Sequence, residues 1–302
     1  MTDKYGRIAF APMTKQPMTK RKIPLLILIL GAVMAISATH DYFLMPESFF
    51  LHKGDKLILH MVEGDQFTKQ SEVGFHSGKV LSFSLLSGKK KIDLTSLARD
   101  SNAMLLDYPL ENAGQNLISV TTGVDHSNSS RDAYSDFLNT LGYDKLADKV
   151  KTGNQFRVKE KYARYMKTLF SVENHDGHEY DKVLNEASEI VLKDNPYSKR
   201  YGEDLVAQLL FKGKPAKGEQ VFLYIKSLGG NVYTQNYTTD DKGEITLTMS
   251  REGIYMLRNV HVEPTTDKDA DYVSWWTTYT FSFSSSDEVL NSYKQFGFGD
   301  VH

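Results

Sequence analysis

The chain contains no cysteine. That excludes disulfides, thiolate metal sites, a cysteine nucleophile and lipid attachment through an amino-terminal cysteine. Catalytic signatures are missing too. There is no Gly-x-Ser-x-Gly elbow, no His-Glu-x-x-His helix and no phosphate-binding loop, and Gly229-Gly230 reads as a hairpin turn. The sequence points away from an enzyme. A surplus of positive charge is also lacking. The 36 Lys and Arg against 38 Asp and Glu give a net charge of −2, and residues 1–38 hold six of the basic residues and only one acid. The remainder carries 30 basic against 37 acidic residues, so no basic patch is left to neutralise phosphates, which argues against a nucleic-acid partner. What is present is an ordinary globular composition, 40% hydrophobic and 25% charged over 302 residues, long enough to bury a core without covalent staples.

The first 38 residues read as an address. Lys20-Arg21-Lys22 precedes the apolar run Ile23–Ala35, and Ile36-Ser37-Ala38 follows as a small-residue end. This basic, apolar, small order is that of a secretory signal, and the apolar run is short of the about 20 residues that a membrane span needs. Cleavage after Ala38 is expected, which makes the protein periplasmic, without a membrane span, and puts His40 second in the mature chain. An uncleaved anchor is the rival reading.

From Tyr42 onward short strands alternate with Gly, Asn and Ser clusters: residues 49–51, 56–62, 80–85, 103–107 and 117–121. After Gly123 the apolar spacing changes. Residues 132–141 and 154–170 show helical spacing, with Tyr162, Tyr165, Met166 and Leu169 on one stripe and Arg157, Lys161, Arg164 and Lys167 on a solvated face. Strands then resume at 205–211, 220–225, 244–249, 253–258 and 275–283, with the turn Thr239-Asp240-Asp241-Lys242-Gly243 among them. The expected fold is mainly β: two immunoglobulin-like or transthyretin-like sandwiches, residues 39–125 and 187–285, separated by a helical insertion and loop at 126–186 and followed by a tail at 286–302.

Several residues could carry a metal. His40 beside a new amino terminus would pair an imidazole with a free amine, a ready chelator of a divalent transition metal, or it only starts an edge strand. His261 and Glu263, two apart on one strand, can share an ion or a hydrogen bond. His60 shares a strand face with Ile58 and Val62, where a histidine is more often a core residue than a ligand. The loop Glu173-Asn174-His175-Asp176-Gly177-His178-Glu179 holds donors without specific spacing and reads as a surface turn.

His40-Asp41-Tyr42-Phe43-Leu44-Met45-Pro46, Gly64-Asp65-Gln66-Phe67, Arg164-Tyr165-Met166-Lys167, Glu189-Ile190-Val191, Thr239–Gly243 and Val260-His261-Val262-Glu263 together resemble the DUF4198 family over nearly all of the exported chain. Tyr42-Phe43 stands where many members have Phe-Trp. The family is grouped with periplasmic components of cobalt and nickel uptake, so the resemblance implies a metal-binding or metal-delivery protein with a membrane metal transporter as receiver. It also implies one shared site of His40, His261 and Glu263, with His60 as a fourth donor. That donor set suits Ni²⁺ or Co²⁺, and equally Cu²⁺ or Zn²⁺. The competing expectation is a non-catalytic structural or adhesive β module that binds a glycan or a protein.

Overall fold

The computed structural model describes residues 40–74, 79–98, 106–285 and 292–298; the expected leader, residues 1–38, lies outside them. In chain order come β1 (Asp41–Pro46), β2 (Phe50–Leu51), β3 (Lys56–Asp65), β4 (Thr68–Glu72), β5 (Val80–Ser87), β6 (Lys90–Asp93), β7 (Leu106–Pro109), β8 (Gly114–Thr122) and β9 (Asp125–Ser130). Two helices follow, α1 (Arg131–Thr140) and α2 (Asp144–Lys151), and then the long β10 (Arg157–Val172). Next are β11 (Ser188–Leu192), β12 (Asp204–Phe211), β13 (Lys214–Pro215), β14 (Gln220–Lys226) and β15 (Val232–Thr238). The last strands are β16 (Glu244–Thr248), β17 (Gly253–Pro264) and β18 (Tyr272–Phe283), before the short α3 (Ser292–Gln295).

These strands make three layers of a mainly β protein. The central sheet runs β15-β14-β17-β18-β10-β8-β5-β6, with β2 and β9 also paired to β10. A sheet of β1, β3, β4 and β7 covers one face, and a sheet of β11, β12, β13 and β16 covers the other. Strand alternation feeds both cores from the same elements. On β10, Met166 and Phe170 enter the first core and Leu169 the second; on β17, Met256 and Val260 enter the first, Tyr255 and Leu257 the second. The two expected sandwiches are thus two cores on opposite faces of one sheet. They are joined because β10 pairs antiparallel with β8 of the first half and in parallel with β18 of the second.

The helix expected at 154–170 is a strand. Being central, β10 is buried on both faces over most of its length, and such a strand reads as a continuous run without polar alternation. The three-and-four spacing of Tyr162, Tyr165, Met166 and Leu169 carried no helical information. Nor did the charges mark a solvated face: Lys167 is 1% exposed and bonds the carboxylate of Glu189 at 2.6 Å, and Arg164 is 5% exposed. The helix expected at 132–141 does form as α1, where the Ser130 hydroxyl accepts the Ala133 N–H and caps the first turn. The α2 helix falls inside the expected helical insertion, though no apolar spacing singled it out.

Candidate functional site

Alternation on β1 and β3 fixes the surroundings of the first two histidines. His40 precedes β1 and its Nδ1 lies 3.2 Å from Glu63 Oε1, whose other oxygen accepts from the Ser71 hydroxyl. His60, in the middle of β3, is bracketed by Glu72 at 3.0 Å and Glu47 at 3.3 Å and stacks on Tyr293 at a ring distance of 3.9 Å. Burial alone would raise the Glu72 carboxyl, yet hydrogen bonds from His60, Lys69 and Tyr293 outweigh it and pull it down to about 2. His60 is a core histidine with its partners supplied.

His261 on β17 has both ring nitrogens engaged as well. Nδ1 lies 2.9 Å from Glu219 and Nε2 3.2 Å from Glu263, while Tyr143 donates to Glu219 at 2.7 Å and Lys212 to Glu263 at 3.3 Å. Burial pushes the His261 pKa down, but the two carboxylates overcome this and hold it above its ordinary value. An imidazole whose protonated form two carboxylates favour is disposed to ion pairing and less to metal binding, since a metal requires the neutral ring.

The shared site is not assembled. Met45 sits opposite His60 and Asp41 opposite Gly64, so His40 and His60 are about five residues, roughly 17 Å, apart along the ladder. β1 packs on the face of the central sheet that carries Arg258 and Val260, with Arg258 bonding Asp41 and Thr278 donating to the Tyr42 carbonyl. His261 follows Val260 by one residue and faces the opposite way, with its ring 4.0 Å from Phe211. A sheet therefore stands between His40 and His261, whereas one ion needs its nitrogens about 2 Å away. Among the described residues no group of three or more His, Asp and Glu is arranged to hold a metal ion. In the 173–179 loop the donors are dispersed, His175 to Ser171 and the Tyr197 ring, and Glu173 to the Lys53 N–H.

The structure draws together a different set around Arg164, a residue whose spacing placed it on a solvated helix face. Arg164 lies where β10 passes from β8 to β9: Leu169 is opposite Leu117 and Tyr162 opposite Asp125, with Gly123 and Val124 between the two strands. Its backbone N–H donates to the Thr122 hydroxyl at 3.0 Å. Its guanidinium carbon lies 3.9 Å from the centre of the Tyr42 ring, 4.5 Å from that of Tyr162 and 5.7 Å from that of Trp276. Among the described residues the side chain makes one hydrogen bond, a long one of 3.5 Å from Nη2 to the His40 carbonyl, and its buried Nε has no partner. Arg164 forms part of the wall of a surface-open cavity of about 230 Å³. The available signal was the Arg164-Tyr165-Met166-Lys167 segment within the family resemblance, read there for position only.

Residues 37–263 match the model of a family described as a domain of unknown function, DUF4198. No curated protein matches the chain. Among solved structures, the tetra-tandem repeat in the extending region of a large adhesion protein is similar at 10% identity and a TM-score of 0.18, over 80% of this chain and 49% of its own. The D0-D1 domain of intimin gives 12% and 0.20 over 80% and 98%, and Salmonella alpha-2-macroglobulin reacted with methylamine 10% and 0.21 over 82% and 15%. The chain spans about half the length of the first of these. At such TM-scores none carries an argument about this chain.

Proposed function

Because the chain belongs to the DUF4198 family, a match over residues 37–263 that names no activity, we propose from the geometry that it is an exported, non-catalytic binding module that takes a small ligand in the cavity at Arg164. One observation carries this reading: a buried arginine with an unpartnered nitrogen in the wall of an open cavity. Buried polar groups in a folded protein are ordinarily bonded, and one left short of partners calls for an explanation that a ligand supplies. Export to the periplasm rests on residues 20–38, and no helix among the described residues is long and apolar enough to cross a membrane. Crystallographic soaking with small fragments of mixed charge tests the reading. Density between Tyr42 and Val124 is expected for at least one of them, and an empty cavity across the whole set overturns it.

A metal reading keeps one specific support, the partly exposed His40 ring beside the Glu63 carboxylate. With the leader cut after Ala38, the new amine, His40 and Glu63 would supply nitrogen and oxygen donors for Ni²⁺, Co²⁺, Cu²⁺ or Zn²⁺, and a membrane transporter would then be the receiver. Calorimetric titration of the mature chain against a form bearing one extra amino-terminal residue decides it. Equal binding by both forms removes the amine from the site.

A further inference from the structure

Four cations are buried in the described chain: Arg164, Lys167, Lys226 and Arg258. Lys167 has Glu189 at 2.6 Å and Arg258 has Asp41. Lys226 lies over the Phe298 ring, 4.1 Å from its centre, and burial lowers its pKa. Arg164 has neither recourse. No carboxylate lies within 4 Å of it among the described residues, and an arginine does not deprotonate in a protein. Its guanidinium plane is held against the faces of three aromatic rings, and the buried carboxyls of Glu160 and Asp41 act on its charge only from farther off, without an ion pair.

The rest of the cavity wall says what would complete it. Met61, Val73 and Val80 give it apolar sides, and Val124 at the mouth is 62% exposed. Leu81, 70% exposed, stands beside Gly123 at the same edge, so apolar surface continues outward from the opening. Besides Arg164 the charged wall residues are Lys79 and Asp125, which face each other at 3.6 Å and offset one another. One positive charge is left over. The volume of about 230 Å³ lies below the ~300–1,000 Å³ of drug-sized sites, so the occupant is compact.

Building on the binding-module reading, we infer that the cavity at Arg164 takes a small organic carboxylate with an apolar body. The planar carboxylate accepts from the guanidinium in the two-pronged geometry that a fixed arginine favours, and the apolar body covers Val80 and Val124. A sulfate or phosphate ion would neutralise the charge equally well but leave the apolar walls wet. An uncharged isostere would fill the walls and leave the charge unmet.

Calorimetric titration of the mature protein with phenylacetate, phenylacetamide, sulfate and phosphate tests this. Phenylacetate is expected to bind saturably and at least about tenfold more tightly than the amide or either inorganic ion, as a charge-assisted pair requires. Val124→Asp, an exposed change that leaves the core intact, is expected to weaken phenylacetate about tenfold and the amide far less. Arg164→Lys is expected to abolish the preference for phenylacetate over the amide. Equal binding of phenylacetate and phenylacetamide, or tighter binding of sulfate or phosphate, overturns the carboxylate assignment while leaving the cavity a binding site. Absence of phenylacetate binding at about 10 mM also overturns it. The binding-module reading itself falls only on the fragment soaking described above.

Discussion

At His261 a single side chain ties β17 to Glu219, next to β14, and its charge state sets a pH signature. The two carboxylates raise the His261 pKa above 6.5, and His261 in turn helps to hold the Glu219 and Glu263 pKa values below 4.5 against burial. A histidine raised on folding stabilises fully below its unfolded pKa, and that contribution disappears as pH rises through the folded value. The lowered carboxylates act in the other direction, with their contribution present above about 4.5 and lost as pH falls through their folded values. Thermal melts of the wild type and His261→Gln from pH 5 to 9 should therefore show an advantage for the wild type that shrinks above the histidine's raised pKa. An advantage constant over that range would contradict the ion-pair assignment. Lys167 presents the same logic deeper in the protein. Lys167→Met leaves the Glu189 carboxylate, 0% exposed, without its cation and should cost about 3–5 kcal/mol in urea unfolding. A loss below about 1 kcal/mol, typical of an exposed pair, would mean that the pair is wetter than its burial indicates.

Strands were legible wherever one rule of alternation or turn chemistry acted alone. The Asp240–Gly243 turn is an instance: the Asp240 carboxylate accepts the Lys242 and Glu244 N–H groups, and Gly243 takes φ +70° with the Leu209 carbonyl 2.6 Å from where a Cβ would stand. Gly243→Ala should thus destabilise by about 1–3 kcal/mol, through both the positive φ and the clash, and an unchanged urea midpoint would count against that backbone. β10 was illegible for the opposite reason. Its residues answer to two cores at once and two of its cations, Arg164 and Lys167, are buried, so neither polarity nor spacing separated it from a helix. The candidate site suffered likewise. The pairing of His261 with Glu263 follows from their spacing on one strand, but the separation of His40 from His261 depends on which face of the central sheet each strand presents, and local sequence does not encode that. Arg164 went unrecognised because a cation amid tyrosines looks the same on a wet face as in an aromatic cage.

For the molecule as a whole, the far carboxyl-terminal end closes the first core. Phe298, 0% exposed, packs on Phe43 and Phe67 at ring distances of 6.0 and 5.4 Å, and Tyr293 covers His60. Phe298→Ala should cost about 3–5 kcal/mol, measured by denaturant unfolding; a negligible loss would show that the end does not seal the core. The parallel seam between β10 and β18 extends this dependence into time. It sets Glu160 opposite Tyr272, more than a hundred residues later, and the first core takes Tyr272 and Trp276 from that last strand. A chain delivered amino terminus first must hold β10 with a bare edge until β18 arrives, roughly 5–20 s at about 5–20 residues per second of synthesis. Contacts so distant in sequence also make folding slow once the chain is complete. The long-lived hazard of this architecture is therefore a half-delivered chain that pairs its open edge with a neighbour.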